Sequence, residues 1–139
     1  MKKVKIDGKT DNAVLDIALD TLKIGKQALV FASTKKSAEK TAEEISKKFK
    51  GENDELKELA DGALNALSRP TKQCERLALC LKNGIAFHHA GLVEKQRSLI
   101  EENFRNSLIK IICCTPTLSY GVDLPAYRAV IRDLKRFSG

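Results

Sequence analysis

The sequence predicts an α/β domain of the doubly wound type, a mainly parallel sheet between layers of helices, and three observations predict it. Short apolar runs alternate with segments of helical periodicity along the chain. The runs are nearly unbroken, without the apolar-polar alternation of a half-exposed strand, as strands covered on both faces require. The chain of 139 residues is about one domain's worth.

In order, Val14, Ile17, Ala18 and Leu22 mark a helix near the start, and Ala28 to Ala32 (ALVFA) forms the first strand. Ala38, Ala42, Ile45 and Phe49 then recur at helical spacing, with Lys35, Lys36, Lys40, Lys47 and Lys48 left for the solvated side. Gly51 and Asn53 break that helix. A second stripe, Leu56, Leu59, Ala63 and Leu67, stops before Pro70, and a third, Cys74, Leu77 and Leu81, ends at Gly84. The segment 33–84 therefore reads as helical and not as a disordered linker. Ile85 to Phe87 (IAF) is the second strand, Val93, Ile100 and Phe104 mark a further helix, and Ile109 to Cys114 (IKIICC) and Ala129 to Ile131 (AVI) are the third and fourth strands. Right-handed crossovers are expected between them. Residues 1–26 read as a lead-in and helix of the same domain whose body is 27–139.

Hydrophobic residues at 42% support a core, and the net charge of +7 favours an anionic partner such as nucleic acid, the plainer alternative being a soluble basic surface. No stretch approaches the roughly 18 apolar residues of a membrane helix, and the lysine-rich start MKKVKIDGKT leads into no apolar signal core. A soluble, cytoplasmic protein with no membrane partner is expected. Cys74, Cys80, Cys113 and Cys114 show neither a CxxC pair nor zinc-ligand spacing, so they are expected to be reduced and structural, with no metal site. Cys113 and Cys114, adjacent on a strand, point to opposite faces and share no partner.

Ligands of open parallel sheets bind beyond the carboxyl ends of the strands, where helix amino termini face an anion. Ser33 and Thr34 follow the first strand, His88, His89, Ala90 and Gly91 the second, and Thr115, Pro116 and Thr117 the third. These small, hydroxylated or permissive residues are expected to converge on one rim suited to phosphate oxygens. Each also has a structural reading. Ser33 or Thr34 can cap a helix, Thr115 before Pro116 resembles a cap with proline in the first turn, and the two histidines fit structural or backbone-contact roles better than metal ligation. In TLSYGVDLPAYRAVI, Gly121 permits a tight backbone path, and Asp123 is either an acceptor for a ribose hydroxyl or cation, or merely a turn carboxylate. Arg128, Arg132, Lys135 and Arg136 can equally be a basic tail.

Two near misses are set aside. Gly8-Lys9-Thr10 resembles the end of a P-loop, but Lys3 stands where the pattern wants glycine. Asp54-Glu55-Leu56-Lys57 resembles an acidic Mg²⁺-binding box, yet it opens a helical stripe and does not end a strand. With neither part, the chain by itself lacks what holds Mg-nucleotide for hydrolysis.

From Gln27 onward the sequence resembles the second RecA-like motor domain of Ski-type superfamily two DNA and RNA helicases, with its nearest likeness to archaeal HelQ-like repair helicases. LVFASTKKSAEKTA resembles family motif IV, AFHHAGL motif IVa, and IKIICCTPTLSYGVDLPA motif V. The pairing of HHAGL with TPTL and GVDLPA is the specific part; motif IV alone is weak. The resemblance implies a RecA-like (P-loop NTPase-type) three-layer fold. It further implies that Ser33, Thr34, His89, Gly91, Thr115 and Thr117 grip the phosphates of a loaded strand, and that Gly121 and Asp123 couple that grip to the nucleotide cleft. Many members of the branch carry Asn at the position of Asp123. ATP and Mg²⁺ are implied for a full-length parent moving 3′ to 5′, with single-stranded or forked DNA, or RNA, and a first RecA-like domain as partners. The family's motif VI, a QxxGRxGR segment, is not reached before Phe137-Ser138-Gly139, so a fragment that does not hydrolyse ATP by itself, and holds no cofactor tightly, is expected. A DNA helicase in repair or recombination is the leading reading. The alternatives are a Ski-type RNA helicase and a stand-alone nucleic-acid-binding module; a small-molecule α/β enzyme has no Ser-His or Cys-His spacing in its favour.

Overall fold

The apolar runs form strands because both of their faces are covered. In a computed structural model, which describes residues 2–5, 11–51, 53–116 and 124–131, every residue of β3 (Ile85–His88) and β4 (Ile111–Cys114) is buried, as are the first three of β2 (Ala28–Phe31). Consecutive strand residues point to opposite faces, so burial without alternation means helices on both sides. With β1 (Lys2–Lys5) and β5 (Arg128–Ile131) the described strands pair in the order β1-β5-β2-β4-β3, all parallel. The α/β class with its parallel sheet is thus as expected. Thr117, Gly121 and Asp123 lie outside the described residues, as do Gly8 to Thr10 and the basic residues beyond Ile131.

All five expected helices are present: α1 (Asp11–Lys23), α2 (Lys35–Lys48), α3 (Asp54–Leu64), α4 (Lys72–Leu81) and α5 (Glu94–Arg105). Three begin at a side chain that accepts from an orphan amide of the first turn: Thr34 from Ser37 at 3.0 Å, Asn53 from Leu56 at 2.7 Å and Thr71 from Cys74 at 3.2 Å. Asn53, expected only as a breaker, is therefore the start signal of the next helix. Asp54 and Glu55 sit in the first turn of α3 and not at a strand end, which removes the resemblance to a metal-binding acid box. Gly84 adopts φ +77° to turn α4 into β3, a conformation that favours glycine.

The core runs along the sheet, with Phe87, Ile85, Ile111 and Ile112 from the strands meeting Ile45, Leu77 and Phe104 from the helices. At this size such a core supports a stability of about 5–15 kcal/mol. Among the described residues no helix is long and apolar enough to cross a membrane.

The strand boundaries differ by one or two residues from the apolar runs, and one strand was not expected. β1, KKVK, pairs with β5 although the sequence marks it only as a lead-in. An edge strand is held by backbone hydrogen bonds along one side and tolerates lysine, so a segment with a single apolar residue carries no pattern to read.

Candidate functional site

Register decides what the strand ends bring together. Phe31 of β2 and His88 of β3 both lie level with Cys114 of β4, which sits between them. The pairing continues one step further, Ala32 donating to the Cys114 carbonyl at 2.8 Å and Thr115 to the His88 carbonyl at 3.4 Å. The segments that leave these strands, Ser33-Thr34, His89-Ala90-Gly91 and Thr115-Pro116, therefore start side by side on one edge of the sheet. Ser33, Thr34 and Thr115 are half-buried, while Ala90, Gly91 and Pro116 are exposed.

Thr34 caps α2, as its structural reading holds, and its hydroxyl oxygen accepts from Ser37. A capped amino terminus at the rim keeps the positive end of the helix beside it.

His89 is placed otherwise than its exposed neighbours. Its side chain is 1% exposed and forms part of the interior. Strand alternation explains the direction: His89 lies two residues beyond Phe87 and turns to the same face, where the two rings stack 5.7 Å apart at an interplanar angle of 8°. His88, one position off, turns to the other face and bonds Glu101 of α5 at 2.6 Å. The adjacent histidines are thus committed to different carboxylates on different helices and cannot converge on one ligand.

The His89 ring joins the rim to the helices beneath it. Its Nδ1 accepts the Gly91 amide proton at 3.0 Å, so the ring proton sits on Nε2, which donates to Glu39 Oε2 at 2.7 Å. Glu39, in the second turn of α2, also accepts from Gln73 at 3.0 Å and from Arg76 at 2.8 Å, both on α4. Arg76 extends the network by bridging Glu43 one turn further along α2. Burial by itself would raise the Glu39 carboxyl; the hydrogen bonds from His89 and Gln73 and the Arg76 charge outweigh it and hold the group below the usual carboxylate range. At His88 the balance falls the other way. Desolvation outweighs the attraction of Glu101, so its pKa is lowered and the imidazole is mainly neutral at pH 7.

Gly91 is required by close approach. A Cβ there would stand 2.9 Å from Cε1 and 3.0 Å from Nδ1 of His89, a ring pinned by Phe87 and Glu39 that cannot withdraw. Its amide is already donated to His89, so its contribution to an anion site is a bare, exposed surface without a side chain.

Glu39, Gln73 and Arg76 have no counterpart among the residues singled out from the sequence. Glu39 follows Ala38 on the border of the helical stripe, the one available signal, and is otherwise one charge among many in KKSAEKTAEE. The four cysteines are buried. Burial, with the Glu43 charge, pushes the Cys80 thiol up to about 12, and burial raises Cys114 as well, so neither is a ready nucleophile.

Against protein-family models, residues 53–134 match the helicase conserved C-terminal domain. Curated relatives include three proteins named ATP-dependent DNA helicase Hel308. That of Methanococcus vannielii is 42% identical over 130 residues, covering 91% of this chain and 17% of the relative. That of Pyrococcus horikoshii is 45% identical over 136 residues, covering 95% and 19%, and that of Pyrococcus abyssi is 47% identical over 129 residues, covering 91% and 18%. The chain thus spans less than a fifth of the length of these relatives.

Proposed function

Since this chain belongs to the helicase conserved C-terminal domain family, we propose that it is the second RecA-like motor domain of an ATP-dependent DNA helicase and grips the phosphates of the strand on which that helicase moves. The observation that carries the reading is the level ending of β2, β4 and β3, which sets Ser33-Thr34, His89-Gly91 and Thr115 along one edge. Hydroxyls, helix amino ends and a bare glycine surface address a sugar-phosphate backbone without reading bases, the contact a motor needs to travel over any sequence. The net charge of +7 favours the same partner. Thr117 completes the grip in this reading, and the DNA helicase names of the relatives favour DNA over RNA.

ATP and Mg²⁺ serve the full-length parent. In this proposal Mg²⁺ falls to the partner domain, since the one acidic run that resembles a metal-binding box, Asp54-Glu55, opens a helix and does not end a strand. This chain contributes Gly121 and Asp123 to one wall of the nucleotide cleft. The other wall is the first RecA-like domain of the same parent, and opening and closing between the two would advance the grips along one strand 3′ to 5′, with forked DNA in repair and recombination as the substrate. The supporting observation for that division of labour is the absence of a P-loop from the sequence.

Titration of a labelled single-stranded oligonucleotide at two ionic strengths tests the grip. With about three phosphates held, affinity is expected to fall roughly 20-fold between about 50 and 200 mM salt, because single-strand binding loses about 0.7 in logarithmic slope per phosphate. Binding that ignores salt would contradict the reading. Thr115→Val keeps the shape of the side chain and removes its hydroxyl, so affinity is expected to fall about 2- to 10-fold, the range of one hydrogen bond, with the melting temperature little changed. Unchanged affinity would return Thr115 to a purely structural role.

A further inference from the structure

We propose that Glu39 is a positioning residue of the strand grip: its carboxylate orients the His89 ring and, through that ring, sets the Ala90-Gly91 turn against the Thr34-capped start of α2. The proposal rests on the reading of this edge as a phosphate grip. A carboxylate is an unfavourable neighbour for a phosphate-binding rim, since it repels the ligand. Glu39 is nevertheless there, 8% exposed at its side chain, and its charge is compensated by Arg76 from below.

Its bonds give the reason for its presence. Glu39 Oε2 accepts a hydrogen bond from the protonated Nε2 of His89, which leaves Nδ1 as the acceptor that the Gly91 amide needs. The tautomer is therefore set from α2, and the turn beyond β3 takes its shape from the tautomer. Phe87 closes the ring from the side, and the missing Cβ of Gly91 leaves the turn just enough space to lie against it. Glu39 lies only five residues beyond Thr34, so one carboxylate ties two of the three gripping segments together. A plain tie between α2 and α4 needs only the Arg76–Glu43 bridge, which reaches no part of the rim.

Two measurements on the 139-residue chain decide it. In the unaltered protein, imidazole nitrogen NMR is expected to show His89 Nδ1 without a proton and Nε2 protonated; a proton on Nδ1 overturns the proposal whatever the variants do. Glu39→Gln keeps the size of the side chain and removes its charge. It is expected to weaken binding of a single-stranded DNA oligonucleotide about 3- to 10-fold and to move the Gly91 amide resonance, while Glu43→Gln, which breaks only the Arg76 bridge, changes affinity less than about twofold. Wild-type affinity in Glu39→Gln, or an equal loss in Glu43→Gln, leaves the grip standing and overturns the positioning role. An unaltered chain that binds no strand at any salt overturns the grip itself, and the positioning role with it.

Discussion

Phe87→Ala is expected to destabilise the chain by about 3–5 kcal/mol, the range for removing a fully buried aromatic ring and leaving a cavity. Phe87 is 0% exposed and lies in β3, where its neighbours Ile85 and Ala86 are equally buried, so no nearby side chain is free to fill the space. Against a total of about 5–15 kcal/mol this is about a fifth or more of the stability, and urea denaturation followed by circular dichroism measures it. The loss extends to the rim, because the ring stacks on His89. Phe87→Leu keeps most of the apolar volume and removes only the stack, so it is expected to retain most of the stability while lowering oligonucleotide affinity. A loss below about 1 kcal/mol in Phe87→Ala would mean that the ring is not sealed in the core.

His89→Leu is the second large effect, with an expected cost of about 2–3 kcal/mol. Leucine fills the space beside Phe87, so packing is largely kept and the loss is polar. The Gly91 amide loses its acceptor, and Glu39 loses one of three donors while remaining buried. The amide, on an exposed residue, can turn to water, whereas the carboxylate cannot; most of the cost falls on Glu39. Its carboxyl is accordingly expected to rise from its present lowered position, since burial opposes ionisation and a hydrogen bond that offsets burial is gone. The sign follows for stability. A carboxyl held below its unfolded value stabilises the fold above that value and loses the contribution as pH falls through the folded one. The wild type should therefore lose stability below about pH 4.5, the ordinary value, and His89→Leu should show a smaller acid dependence. Denaturation at pH 7 and pH 4, together with NMR titration of Glu39, checks this; a parallel acid dependence in both proteins would remove His89 from the account.

The two histidines show how far a linear reading reaches. HHAGL identifies the segment after a buried strand; the structure continues β3 through His88, and alternation then turns His88 and His89 to opposite faces. Which carboxylate each one meets is another matter, because Glu39 stands 50 residues away from His89 and belongs to a helix whose sequence is rich in charge. The same contrast holds for Asn53, legible as a break and in fact a cap, and for β1, whose backbone pairing with β5 leaves no trace in side-chain pattern.

The sequence by itself determined the α/β class, the five helices, the four apolar strands and the three segments that follow β2, β3 and β4, because burial on both faces and helical stripes are written in residue type and spacing. Tertiary structure decided what those segments become together. The level register of Phe31, Cys114 and His88 aligns them on one edge, and the enclosure of His89 between Phe87, Gly91 and Glu39 turns a residue expected on the surface into an internal support. The physical reason is that hydrogen-bond partners are chosen by distance in space, and residues far apart in the chain carry no local pattern that names each other.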